Sequence, residues 1–363
     1  LRQRDGTLTK GGAAWSATDS NYMLEDGTYY LSSNLTLEHG ILITGNVTLC
    51  LNGHSITCNA GADTSNPVPV ITVSETGCFT LTNCQTYWGD YKITHTEGKY
   101  GCGVYNEGTF NMYGGNITGN MAINYAGVYN EGIFNLYGGK ISDNKSVGNE
   151  SSIFNDGEGG GVYNGDLLTV DTTAAFTMYG GTIEENTATD SNSGVYGDGG
   201  GVYINGGKFT MTGGSITKNT ALNFAGVCVA NGNGTFTVSG KVTVTGNWVG
   251  QTENNVYLYK DKLITIGEGG LDVSAKIGVT CRSLNSGESV TIATGGAYSC
   301  TESNFIANAG GAHFIKVEQD ADTSNVNVKL YNGQPPVETH KHYLCGGSDG
   351  CTCTSGSNCE SVN

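Results

Sequence analysis

The chain has 363 residues, 58 of them Gly and only 4 Pro, and 33 acids against 17 Lys plus Arg give a net charge of −16. Arg occurs only as Arg2, Arg4 and Arg282, so a basic patch for nucleic acid or an anionic membrane surface is excluded. No apolar run approaches a transmembrane helix. No stretch keeps a helical apolar period over three turns. Short runs of Val, Ile, Thr, Tyr and Phe between Gly-rich turns point instead to an all-β chain.

Taken in chain order, residues 1–38 are expected to form an N-terminal cap or arm. ILITGNVTLCLNGHSIT (Ile41–Thr57) and PVITVSETGCFTLTNC (Pro69–Cys84) read as early turns of a repeat. The repeat is clearest in GVYNEGTFNMYGGNITGNMA (Gly103–Ala122) and its neighbour GVYNEGIFNLYGGKISDN (Gly127–Asn144). Further copies begin at Gly159, Gly199 and Ala225. The matching Phe residues are Phe110, Phe134, Phe176, Phe209 and Phe236, spaced by 24, 42, 33 and 27 residues. Three short strands in the bare 24-residue unit make one turn of a parallel β-helix, each strand pairing with its counterpart one turn on. Propeller blades need four strands and a longer period, and the Leu pattern of leucine-rich repeats is absent.

Strand alternation assigns the faces. The Val of each GVY unit points into the bore, with Phe110/Met112, Phe134/Leu136, Phe176/Met178 and Phe209/Met211, and with Ile117, Ile141, Ile183 and Ile216. Each Gly-Gly pair makes a tight corner where positive φ is expected. Asn120, Asn144, Asn186, Asn219 and Asn247 fall at another corner, where stacked amides can hydrogen-bond along the axis. Asn254–Gly267 and later runs to about Leu330 read as final turns. The expectation is a right-handed parallel β-helix (solenoid) over 39–332, of ten to eleven turns and about 50 Å, followed by a His/Cys-rich tail at 333–363.

The Gly-Gly-x-Val-Tyr and Phe-x-Met-x-Gly-Gly-x-Ile-x-x-Asn units resemble the β-helix repeats of bacterial surface proteins, including large adhesin-like proteins of gut Firmicutes. The resemblance spans residues 40–270. It implies a secreted or wall-attached rod, adhesin or filament subunit. Pectate lyases, polygalacturonases and phage tailspikes share the fold, so a carbohydrate-active enzyme is the alternative, and function has to come from a site.

Several features are candidates. Tyr105, Tyr129, Tyr163 and Tyr203 follow the inward Val positions and should face outward, as should Tyr113, Tyr137 and Tyr179. Such columns can stack sugars, pack a partner or simply stack on one another. Insertions follow Asn144 and Asn186, equivalent corners of successive turns, so the two loops should emerge side by side. A third insertion occupies 165–173. From Ser146 to Gly207 there are nine acids and no Lys, Arg or His, which would repel a polyanionic substrate. Glu150, Asp156, Glu158, Asp190 and Asp198 could hold Ca²⁺, or could form a solvated acidic surface. No catalytic residue and no other cofactor is assigned: the Asp-Asp pair of polygalacturonase-like enzymes is absent, and His39, His54, His95 and His313 are isolated in sequence.

Twelve Cys are too many for a reducing cytosol. With the start at Leu1, they suggest an extracellular, processed chain. Cys50, Cys58, Cys78, Cys84 and Cys102 fall in adjacent turns, within disulfide reach. Cys281 and Cys300 are a second possible pair. Cys345, Cys351, Cys353 and Cys359 lie in the tail, where the spacing fits disulfides better than a zinc knuckle. Partners expected are a glycan, a cell surface or further copies of the chain.

Overall fold

The computed structural model describes residues 21–24, 26–85, 91–148, 157–166, 173–190, 197–230, 232–280, 284–296, 300–308, 313–319 and 325–333. It also describes the backbone of four two-residue strands, Arg2–Gln3, Gly6–Thr7, His340–Lys341 and Thr352–Cys353. The chain winds as a right-handed parallel β-helix with three long sheets. In the second sheet the register runs through Thr28, Thr48, Thr80, Asn111, Asn135, Thr177, Thr210, Thr237, Thr265 and Thr294. One residue per coil makes ten coils and a rod of about 45 Å at the usual strand spacing.

The bore is filled as strand alternation dictates. Phe79, Phe110, Phe134, Phe176, Phe209 and Phe236 are buried and stack ring on ring at 5.4, 4.8, 4.7, 4.5 and 4.9 Å. The Val and Ile columns are equally buried. The second glycine of each pair carries the positive φ: Gly115, Gly139, Gly181 and Gly214 lie at 90°, 91°, 79° and 87°. The first is Gly for another reason. A Cβ on Gly138 would stand 2.8 Å from the Tyr113 carbonyl oxygen of the coil below.

The third corner carries the expected Asn ladder, and it runs further than the repeat suggested. Each Nδ2 donates to the next Oδ1 at 2.9–3.0 Å from Asn120 through Asn144, Asn186, Asn219 and Asn247 to Asn255 and Asn308. A second buried ladder, Asn106–Asn130–Asn164, closes the corner between the first and second sheets at 2.7 Å per step. Its members are the Asn of VYN, whose side chains alternate inward with Val. A short fourth sheet follows the third corner, through Met121–Ala122, Lys145–Ser146, Thr187–Ala188 and Thr220–Ala221.

Both expected ends need correction. Strands Asn21–Leu24, Gly27–Tyr30 and Leu35–Leu37 pair in parallel with coil two, so the helix begins at Asn21 and not at residue 39. At the other end His313–Gln319 and Val326–Asn332 are not helix turns. They form an antiparallel hairpin laid along the last second-sheet strand, Ser289–Gly295. The strands Arg2–Gln3 and Gly6–Thr7 form a similar hairpin against Gly27–Tyr30. Each end of the second sheet is thus continued by an antiparallel hairpin, so the outermost parallel strand is not itself the sheet's edge.

Candidate binding groove on the first sheet

The residue after each inward Val faces away from the bore, and in register these are Tyr105, Tyr129, Tyr163, Tyr203, Cys228 and Tyr257. Their solvent exposure differs from the open strip expected. Tyr163 is fully buried and Tyr203 is 8 % exposed. With Cys228 and Ala230, and with Tyr125, Phe224 and Tyr259 packed against them, they form a second apolar core outside the bore. Strands Lys145–Ser146 and Thr187–Ala188 pair in parallel, so the two insertions leave from neighbouring coils. The chain then returns over the first sheet through Gly157–Gly161 and Gly197–Gly201. Sequence spacing locates such insertions but gives no direction of return.

Tyr105 and Tyr129 at the upstream end of the column are half-buried, as is Tyr257 at the downstream end. Tyr105, Tyr125 and Tyr129, with Ile123, Cys102, Pro67 and Pro69, line a groove of about 520 Å³. Tyr105 and Tyr129 stack at 4.9 Å, and Tyr125 stacks on Tyr129 at 4.4 Å while tilting onto Tyr163 at 4.1 Å. Tyr125 has φ +63°, and the equivalent residues of the next two coils are Gly159 (+64°) and Gly199 (+68°). A bulky residue in a left-handed conformation costs about 1–2 kcal/mol, so this ring is held in a backbone shape that the next two coils give to glycine; in the coil after those the position is Phe224, without positive φ. In the sequence the difference is NYAGVY (Asn124–Tyr129) against EGGGVY (Glu158–Tyr163), a substitution outside the Val-Tyr positions that mark the repeat.

Carboxylates organise the hydroxyls. Tyr105 Oη lies 2.6 Å from Glu131 Oε2 and 3.0 Å from Glu107 Oε1, and Tyr129 also donates to Glu131. Burial, then the nearby carboxylates, hold the Tyr105 phenol far above its ordinary pKa; burial, then neighbouring tyrosines and Glu158, do the same for Tyr125. Burial pushes the Cys102 thiol up to about 12, so it is not a nucleophile. Among the described residues no side chain lining the groove is charged. The arrangement offers aromatic and apolar walls with protonated phenols.

The other tyrosine column behaves differently. Tyr113, Tyr137 and Tyr179 are 54, 38 and 47 % exposed on the second sheet. They stack face to face at 4.4 and 4.7 Å with planes within 5°. Each shared ring face is occupied by the next tyrosine, so the column presents mainly edges and hydroxyls to a ligand.

Two of the acidic candidates, Glu158 and Asp198, both lie near Tyr203. Among the described residues no three His, Cys, Asp or Glu side chains are grouped to hold a metal ion. Glu158 lies against the Tyr203 hydroxyl, and Asp198 accepts from Asn223 Nδ2 at 2.9 Å. Asp190 follows the Thr187–Ala188 strand. Glu150 and Asp156 lie outside the described residues.

Cys50 and Cys84 form a disulfide between coils two and three. The thiols of Cys58, Cys78, Cys102 and Cys300 are free, contrary to the pairing expected of them, and so is that of buried Cys228. Adjacent coils bring many Cys near each other, but bond formation also needs converging Cβ vectors. Cys281, Cys345, Cys351 and Cys359, and the side chain of Cys353, lie outside the described residues. No helix among the described residues is long and apolar enough to cross a membrane. Comparison with protein-family models, curated proteins and solved structures gives no match.

Proposed function

We propose that the protein is an extracellular β-helical rod that binds uncharged carbohydrate through the groove of Tyr105, Tyr125 and Tyr129. The observation that carries this reading is Tyr125, kept in a left-handed conformation where the next two coils use glycine, with its ring lining the groove. Sugar rings present apolar C–H faces to aromatic side chains and hydroxyls to phenols. Among the described residues the lining holds no basic side chain for a polyanion. The stacked Phe column and the continuous Asn ladders give the stiffness of a spacer. The Cys50–Cys84 disulfide fits an oxidising, extracellular setting. The likeness of the repeat to bacterial surface proteins fits the same setting.

End-to-end growth into a filament is the less supported form of this reading. The antiparallel hairpins at both ends of the second sheet leave no parallel edge there for another copy to extend.

A glycan array on the full chain tests the proposal. Tyr105→Ala and Tyr125→Ala should each weaken the best-bound glycan roughly tenfold, about 1.4 kcal/mol. Tyr137→Ser, on the other sheet, should leave binding unchanged. Equal loss in Tyr137→Ser would move the site to the second sheet. Release of oligosaccharides in a parallel degradation assay would assign the fold to a carbohydrate-active enzyme instead.

A further inference from the structure

His95 stands alone in the sequence but not in the fold. It is 6 % exposed, at the upstream end of the third-corner Asn ladder. Its Nδ1 lies 2.8 Å from Asn120 Oδ1 and its Nε2 2.8 Å from the Val68 carbonyl oxygen. The Asn120 amide cannot be reversed. Its Nδ2 donates to Asn144 Oδ1 at 2.9 Å and to the Ile93 carbonyl at 3.2 Å, and a flip would aim an acceptor at both. Both atoms facing the imidazole are therefore acceptors, whereas a neutral imidazole has one N–H and one lone pair.

We propose that His95 is a proton-operated clamp on one wall of the tyrosine groove: the imidazolium donates to Asn120 and Val68 together, and the neutral ring must release one of them. Val68 is the partner released, because Asn120 is locked by the ladder. Val68 lies between Pro67 and Pro69, which line the groove together with Tyr105 and Tyr125. Besides His95, this segment is held by the Val68 N–H to the Tyr100 carbonyl (2.9 Å) and the Tyr100 N–H to the Gly61 carbonyl (2.8 Å). Losing the His95 contact leaves the loop attached but its Pro-Val-Pro wall less restrained.

The groups around the ring do not fix its charge. Cys58 is its register neighbour in coil two, a buried thiol kept protonated chiefly by burial, with Glu38 and Lys99 acting on it in opposite senses. Across an adjoining cleft of about 300 Å³ stand Glu97, Lys99, Asp143 and Lys145, two charges of each sign. Burial lowers the His95 pKa, and the Val68 and Asn120 oxygens act the other way. The clamp accordingly closes on the acid side of neutrality, below the ordinary imidazole value of about 6.5.

The consequence for ligand binding rests on the groove reading above, but the clamp itself is measured on the free protein. Histidine-¹⁵N-labelled full chain is titrated between about pH 4.5 and 8, with His95→Gln assigning the resonance. Both His95 ring nitrogens should carry protons on the acid side and only Nδ1 on the alkaline side. Hydrogen exchange across residues 61–69, corrected for intrinsic rate, should be roughly tenfold slower in the closed form, the size of one charge-assisted hydrogen bond. The pH dependence should vanish in His95→Gln. A single neutral tautomer throughout, or a ring that titrates with no change at 61–69, overturns the clamp. A negative glycan array would overturn the groove reading and leave the clamp standing.

Discussion

Asn186 uses every hydrogen-bonding group it has. Its Oδ1 accepts the N–H and the Nδ2 of Asn144, and its Nδ2 donates to the Ile141 carbonyl and to Asn219 Oδ1. Its own N–H donates to Asn219 and its carbonyl accepts from Thr220. Asp at this position would set an oxygen against two acceptors inside a buried corner. Asn186→Asp should therefore lower unfolding free energy by about 3 kcal/mol or more, read by chemical denaturation at neutral pH. A loss below about 1 kcal/mol would mean that the corner can rearrange around the side chain. His95 belongs to the same scale: a ring between two acceptors has a protonation state set by geometry as well as by burial.

At the level of the element, the third corner repeats one backbone shape in successive coils with different residues. The residue before each ladder Asn from Asn120 to Asn247 has positive φ: Gly119 (69°), Asp143 (53°), Glu185 (59°), Lys218 (57°) and Gly246 (66°). Three of these five pay steric strain that glycine avoids. Asp143 is exposed, and its one hydrogen bond to Thr118 is long, at 3.5 Å. Asp143→Gly should raise stability by up to about 1 kcal/mol, seen as a higher denaturation midpoint with unchanged slope. Destabilisation would show that the unfolded-chain entropy of glycine outweighs the relief of strain. Glu185 and Lys218 are poorer choices, because they form an ion pair at 3.0 Å. The second glycine of the second-sheet corner is a stricter case. At Gly139 positive φ is combined with the Gly115 carbonyl oxygen 2.5 Å from any added Cβ, so no side chain fits.

Across the whole molecule, stability is set by neighbour-to-neighbour contacts along the axis, and the ends decide whether it remains a single rod. The hairpin His313–Gln319/Val326–Asn332 covers the last second-sheet strand from Ser289 to Gly295. A chain ending before residue 313 would expose that strand's unpaired edge. We expect it to self-associate more than the full chain at equal concentration, measured by light scattering. An unchanged association state would show that the hairpin is dispensable as a cover. The same strand-edge argument favours a discrete rod over end-to-end polymerisation.

Much of this architecture is legible in the residues themselves. The Phe, Val and Ile columns, the Gly-Gly corners and the Asn120–Asn247 ladder all follow from one local rule, alternation within a repeat, applied coil after coil. The inner Asn106–Asn164 ladder obeys that rule too, and was missed only because an inward Asn does not look like core. The ladder's last steps to Asn255 and Asn308 lie where the repeat has decayed. What the tertiary structure alone decided was everything placed by the return path of an insertion or by the closing of an end. It buried Tyr163 and Tyr203 while leaving Tyr105 and Tyr129 half-buried, brought Pro67 and Pro69 into one groove with Tyr125, paired Cys50 with Cys84, and set His95 between Asn120 and Val68. These depend on contacts between segments whose lengths vary from coil to coil. A periodic sequence determines the lattice because each coil repeats its neighbour's environment; a site arises where that periodicity breaks, and there only three-dimensional packing specifies what meets what.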